Sequence, residues 1–402
     1  MTAGPVRADE MPIQFERVTH SPKQLGGLAA LNTRLFAGAF GGTLELDAAL
    51  RVQRFQNNGG FAPIDFRKGA FHVLGGDISA GFVGHTPYTA VLTGQGNPID
   101  AVVLPALPAL DLYDAPSIDN HELLTDMQGN FWFLRYPMED CDAYPGMCGP
   151  TPPEGVSQFA SCTISQVSPA GQLLFEWSAL DHLPQSELRY AQWIDRRAST
   201  IYADVADPLH CNSIDVDESG KRILVSMRHT DSIYMIDKGS GRVLWKIGGN
   251  RWPGTSLSVT DLPKSQRTDP LAGQHDARIQ GTDSISVFDN STGLSRPARG
   301  IVFDIDRKRS TASARQVMSS PFRESSNCTG SFRQFASGRF WVAGWGCADT
   351  AATVFDAAGK PLVSIRPALT VQTQAYFDTW PRALRDILKR QVSYRFTPSS
   401  SE

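Results

Sequence analysis

The chain has 402 residues, 41% of them hydrophobic and 20% charged, so it can bury a substantial core and is not globally disordered. A formal net charge of −3 leaves no basic surplus for a nucleic-acid or anionic-membrane partner. No apolar run reaches the roughly 18 residues that a membrane-spanning helix needs.

The opening stretch MTAGPVRADEMPIQFERVTH lacks an apolar signal core, which leaves two compartments open: the cytoplasm, or an exported site reached with a leader that was removed. Alternation of apolar and polar residues then dominates. FAGAFGGTLELDAALRVQRF (36–55), HELLTDMQGNFWFLRYPM (121–138) and ISQVSPAGQLLFEWSALDH (164–182) each read as two strands around an Asp/Ser–Gly turn. Residues 207–249 read as strand, turn, strand, turn, strand, and the unit returns in ATVFDAAGKPLVSI (352–365). Residues 137–158 and 250–272 read as long loops. Helical periodicity is confined to WPRALRDILKRQV (380–392), ahead of a frayed SSSE tail. Repeated hairpins with few helices predict an all-β chain and favour a β-propeller over two packed sandwiches. The repeats are too degenerate to give a blade number.

Six cysteines are too few for a disulfide scaffold. The spacings Cys141/Cys148 and Cys328/Cys347 suit local disulfides, although sequence does not give connectivity. Neither fits a C-x-x-C site, so no zinc is expected.

The stretch from residue 207 concentrates unusual chemistry. In HCNSI a strand puts His210 and Asn212 on one face and Cys211 on the other, where packing or a disulfide is the expected role. In ILVSMRHTDSI, Arg228 and His229 point oppositely, so one of them at most joins a given site. His275 in GQHDAR and His121 in DNHELL complete an imidazole-rich, cationic set with His210 and Arg228. Such a set suits a developing or transferring anion. Each residue also has a plain structural reading: a histidine beside a strand is commonly a satisfied core group, and Arg228 can close a sheet by an ion pair. His182 is expected to cap or anchor a loop, and His20, His72 and His85 to be structural.

The ordered pieces DNHELL, FEWSALDHLP, HCNSIDVDESG, LVSMRHTDSIYMID, GRVLWKIGG, GQHDARI, ISVFDN, SRP and VAGWG resemble the bacterial and fungal arylsulfotransferases, which do not use a nucleotide sulfate donor. The resemblance is read over roughly residues 35 to 365, with these pieces lying between residues 119 and 346. The resemblance implies a six-bladed β-propeller, here residues 31–370, after an N-terminal extension (1–30) and before a short C-terminal helix and tail (371–402). It implies ping-pong sulfuryl transfer from an aryl sulfate donor to a phenolic acceptor through a sulfohistidine, with no metal or organic cofactor. The family's nucleophile matches His275, its His-x-Asn pair His210 and Asn212, its sulfate-binding arginine Arg228, and a further channel histidine His121. On this basis Arg228 faces inward and His229 away. Arg228, Asn212 and His210 hold the sulfuryl oxygens, and His121 or His210, with His121 preferred, carries the proton.

The sequence departs from the larger family members, which carry a β-sandwich before the propeller; only some 35 residues precede the region over which the resemblance is read, which puts sandwich-mediated dimerisation in doubt. Other chemistry in the same pocket, hydrolysis or cyclisation of a phenolic or polyketide-like natural product, is the competing enzymatic reading, and a non-catalytic binding propeller the third. Export, frequent in the family, would make Asn290-Ser-Thr and Asn327-Cys-Thr glycosylation acceptors in a eukaryotic secreted protein.

Overall fold

The computed structural model describes residues 14–39, 42–57, 121–149, 155–188, 205–368 and 395–399, together with short strands elsewhere between residues 6 and 202. Among the described residues the chain is all-β apart from two short helices, Pro22–Ala29 and Ala179–His182, and brief 3-10 turns. Among the described residues several sheets are up-and-down arrangements of the β-propeller kind. The 380–392 helix expected from the sequence lies outside the described residues.

The chain divides into two compact units. The first comprises residues 1–70, 286–302 and 316–402. Here strand Phe15–Thr19 pairs antiparallel with Pro361–Pro367 and completes the sheet of Ser331–Phe335, Phe340–Gly344 and Ala352–Asp356. Strand Phe396–Pro398 likewise pairs with Arg34–Ala39. Segments expected to lie before and after the propeller thus supply strands to its sheets. Cys328 and Cys347 form a disulfide.

The second unit, residues 71–285 and 303–315, carries the site. One of its sheets is Leu123–Thr125, Phe131–Arg135, Thr163–Val167 and Leu173–Ser178; another is Cys211–Val216, Arg222–Met227, Ser232–Asp237 and Val243–Gly248. Alternate residues of the second sheet, among them Ile223, Val225 and Met227, share one core with Leu124, Trp132, Leu134 and Trp177 of the first. That is the period-two burial that the sequence pattern demands. The hairpin turns repeat one device, an aspartate whose carboxylate caps backbone N–H groups further on. Asp126 accepts from Gln128 and Asn130 at 2.9 Å, and Asp217 accepts from Lys221 and Arg222 at 2.9 Å. Of the two expected long loops, 137–158 contains paired strands Met138–Asp140 and Gln158–Ala160 and the Cys141–Cys148 disulfide. The other contains a short strand, Ser258–Thr260, and a 3-10 turn.

Candidate active site

His121 lies between strands Ile118–Asp119 and Leu123–Thr125. Asp119 Oδ1 accepts the His121 backbone N–H at 2.9 Å and also meets the ring Nδ1. His210 repeats the arrangement one residue before strand Cys211–Val216. Asp207 Oδ1 accepts its backbone N–H at 3.1 Å, and Asp207 Oδ2 meets its Nδ1. The clamp holds His210 at φ 48°, a left-handed conformation that costs a non-glycine residue about 1–3 kcal/mol. The two buried rings meet edge to face, centroids 4.8 Å apart at 82°. In each, the carboxylate on Nδ1 fixes the hydrogen of the neutral ring on that nitrogen and leaves the lone pair on Nε2, an arrangement able to stabilise an imidazolium.

Arg228 and His229 do not alternate as strand residues. The strand ends at Met227, and Arg228–Thr230 is a 3-10 turn. The backbone N–H groups of Arg228 and His229 donate to the carbonyls of His210 (2.9 Å) and Leu209 (3.1 Å). The expectation that His229 faces away from the site is therefore corrected. Its ring stacks on His210 at 4.7 Å and 25°, its Nδ1 donates to the Asp207 carbonyl, and its Nε2 accepts from Arg228 Nη1 at 2.7 Å. Burial holds His229 well below the ordinary histidine pKa; Asp207 opposes this shift, and the charges of His210 and Arg228 reinforce it. His229 is thus neutral beside a guanidinium. Gly248 and Gly249 buttress the turn, since a Cβ would fall 2.2 Å from the Asp231 carbonyl at Gly248 and 2.2 Å from the Thr230 carbonyl at Gly249.

His275 opens strand His275–Ile279, which lies alongside Cys211–Val216: Ala277 N–H donates to Ser213 Oγ (3.0 Å) and Ile279 N–H to Asp215 Oδ2 (2.9 Å). Its Nδ1 donates to the Gly273 carbonyl at 3.0 Å. A carbonyl only accepts, so the neutral ring carries its hydrogen on Nδ1 and its lone pair on Nε2. Asn212, expected among the sulfuryl-oxygen donors, is fully buried, and its amide donates to the Gln274 carbonyl at 2.7 Å. Gln274 Nε2 donates in turn to the carbonyls of Met227 (3.1 Å) and Ser232 (2.9 Å), and Gly273 N–H donates to Asp231 Oδ1 at 2.7 Å. The backbone ahead of His275 is therefore anchored to the turn that carries Arg228. Cys211 pairs with Cys162, and Tyr136 OH donates to the Cys211 carbonyl.

His121, His210, His229 and Arg228 thus form one contiguous group, and the Asn212–Gln274 hydrogen bond ties the backbone next to His275 to the segment that carries His210. Sequence reasoning passed over Asp119 and Asp207 and set His229 outside the site. The signal for the two aspartates was present, an acidic residue two or three positions ahead of each histidine. Asp207, His210 and His229 also offer ligand atoms within 4.8 Å of one another and could hold a cation, but both ring nitrogens of His229 are engaged, so a metal would have to displace either the Asp207 carbonyl or Arg228. Elsewhere His182 donates to the Ser178 carbonyl and stacks on Trp177, and His20 bonds Ser364, as structural histidines do. The side chain of His72 and all of His85 lie outside the described residues.

The sequence model of the family described as Arylsulfotransferase (ASST) matches residues 112–366. The chain belongs to the arylsulfotransferase family. The matched region contains all five polar residues expected from the sequence and the three added by the structure. No curated protein matches the chain. Among solved structures it is similar to a protein of unknown function from Bacteroides caccae (9% identity, TM-score 0.46, 91% of this chain and 98% of that one). It is also similar to the periplasmic gluconolactonase of Pseudomonas aeruginosa (12%, 0.42, 84% and 97%) and to TolB from Acinetobacter baumannii (10%, 0.43, 84% and 64%).

Proposed function

We propose that this arylsulfotransferase moves a sulfuryl group from an aryl sulfate to a phenolic acceptor in two steps through His275. The observation that carries the reading is the difference in what backs each imidazole. His121 and His210 have carboxylates on Nδ1, whereas His275 has a neutral carbonyl. A carboxylate-backed ring is suited to carry a proton; a carbonyl-backed ring, in its neutral form, keeps its hydrogen on Nδ1 and its lone pair on Nε2.

In the first step His275 Nε2 attacks sulfur, an N–S bond forms, and the S–O bond to the aryl group breaks. The departing phenolate takes a proton from Nε2 of His121. In the second step the now neutral His121 accepts the proton of the acceptor phenol, whose oxygen attacks sulfur as the N–S bond breaks. Arg228, with His210 beside it, faces the charge on the sulfuryl oxygens, the role of a preorganised cation in such a transfer. Asn212 is assigned to the backbone that carries His275, since one of its amide N–H groups donates to the Gln274 carbonyl.

The test is mass spectrometry of the protein incubated with p-nitrophenyl sulfate, alongside release of p-nitrophenol. One sulfuryl group on the His275 peptide, discharged by added phenol, is the expected result. Folded protein with neither adduct nor release would overturn the proposal, and release that needs no phenol would point to hydrolysis instead.

A further inference from the structure

We infer that Arg278 is a positioning residue that holds the nucleophile His275 and the proton carrier His121 in one rigid frame. The inference rests on the roles proposed above for those two histidines. Each is followed directly by an acidic residue, Glu122 after His121 and Asp276 after His275. The structure brings both acids to the same buried guanidinium. Arg278 donates from Nη2 to Glu122 and to Asp276 (2.7 Å), and from Nε to Asp276 at 2.9 Å. Its third arm, Nη1, donates to the Ile214 carbonyl at 2.7 Å, two residues beyond Asn212. Glu122 closes the loop by accepting the Ile214 N–H at 3.3 Å.

One planar cation thus ties the segments of His121, Asn212 and His275, which are distant in sequence. Asp276 is held at φ 55°, a left-handed conformation that an aspartate keeps only where its surroundings over-determine it. The nearby carboxylate of Asp215 adds to the attraction on Arg278. A cluster of this kind is a poor device for stability, because a well-packed apolar replacement of a buried ion pair is commonly neutral or better. It is a good device for geometry, since the guanidinium fork has fixed directions that a lysine ammonium does not reproduce.

The experiment uses Arg278→Lys, Arg278→Met and Glu122→Gln in the full chain, with circular dichroism to establish folding. The first readout is the imidazole ¹⁵N spectrum of histidine-labelled protein, assigned with His275→Gln and His121→Gln. Signals of both His275 and His121 should shift in Arg278→Lys while that of His182, anchored elsewhere, stays in place. The second is steady-state kinetics with p-nitrophenyl sulfate: kcat should fall about 100-fold, the scale of an ångström-sized misplacement, with KM changed less than about threefold. Unmoved His275 and His121 signals in folded Arg278→Lys would overturn the inference, as would wild-type kcat. If Arg278→Met does not fold, Arg278→Lys and the charge-neutral Glu122→Gln decide. If the wild-type protein does not turn over aryl sulfate, the proposed reaction fails, and the imidazole spectra alone then decide the positioning role.

Discussion

Arg228 and His229 are adjacent in sequence and bonded to each other in space: Arg228 Nη1 donates to His229 Nε2 at 2.7 Å, while His229 Nδ1 donates to the Asp207 carbonyl. A guanidinium normally wanders at the end of a long stem. Here a neutral imidazole, itself stacked on His210, fixes its direction.

The first prediction follows from that bond. His229→Leu removes the acceptor and should lower kcat/KM for aryl sulfate by about 10- to 100-fold, the effect of about 1.4–2.8 kcal/mol of lost orientation. His229→Gln, whose amide oxygen reaches a similar position, should recover most of the loss. Steady-state kinetics of the two variants check this, and equal activity in both would remove the orienting role.

A second prediction concerns pH. The folded His229 resists protonation, whereas the unfolded residue titrates near pH 6.5. Between the depressed folded pKa and about 6.5 the unfolded chain therefore binds more protons, and stability rises with pH. His229 contributes its full stabilisation above about pH 6.5 and loses it progressively below. Urea unfolding of wild type and His229→Gln across pH 5 to 8 should show a steeper acid-side loss in the wild type.

A third prediction separates the two carboxylate-backed histidines. If His121 delivers the proton, His121→Gln should slow phenyl sulfate, a poor leaving group, by about 10²–10⁴. Turnover of p-nitrophenyl sulfate, whose phenolate leaves without help, should suffer far less. His210→Gln should slow both donors alike. Rates against a series of substituted phenyl sulfates give the comparison directly.

The fourth prediction concerns Cys162–Cys211. This bond joins the segment before strand Thr163–Val167 to the residue between His210 and Asn212. Closing a loop of 49 residues is worth roughly 4 kcal/mol. The double variant Cys162→Ala/Cys211→Ala should unfold at lower urea and lose activity before it loses its far-ultraviolet signal. Removing Cys141–Cys148, which joins no segment that carries a site histidine, should cost stability without that early loss.

The hairpins were legible because alternation and Asp–x–x–Gly turns are local signals, and the strands at 121–138, 164–182 and 207–249 form where those signals stand. His121, His210, Arg228 and His275 were legible through the family resemblance, since nothing local joins residues so far apart. His229 was misread because strand alternation was carried one turn too far. The 3-10 turn at 228–230 depends on Gly248 and Gly249 approaching from the next hairpin, and that approach has no local trace in RHTD. Asn212 illustrates a related limit. A register shift in the pairing between Cys211 and Ser213 breaks the simple two-face rule, and its partner is a backbone carbonyl 62 residues away.

The pairing of Phe15–Thr19 with Pro361–Pro367 sets a timetable for synthesis. The earlier strand leaves the ribosome roughly 350 residues before its partner, an interval of about 20–70 s at 5–20 residues per second. Throughout that time the sheet it completes does not exist, and its backbone donors and acceptors stay open to any passing strand edge. The nascent chain is therefore most exposed to chaperones and to misassociation until its last sheet is threaded, and a slow or paused ribosome would lengthen that window.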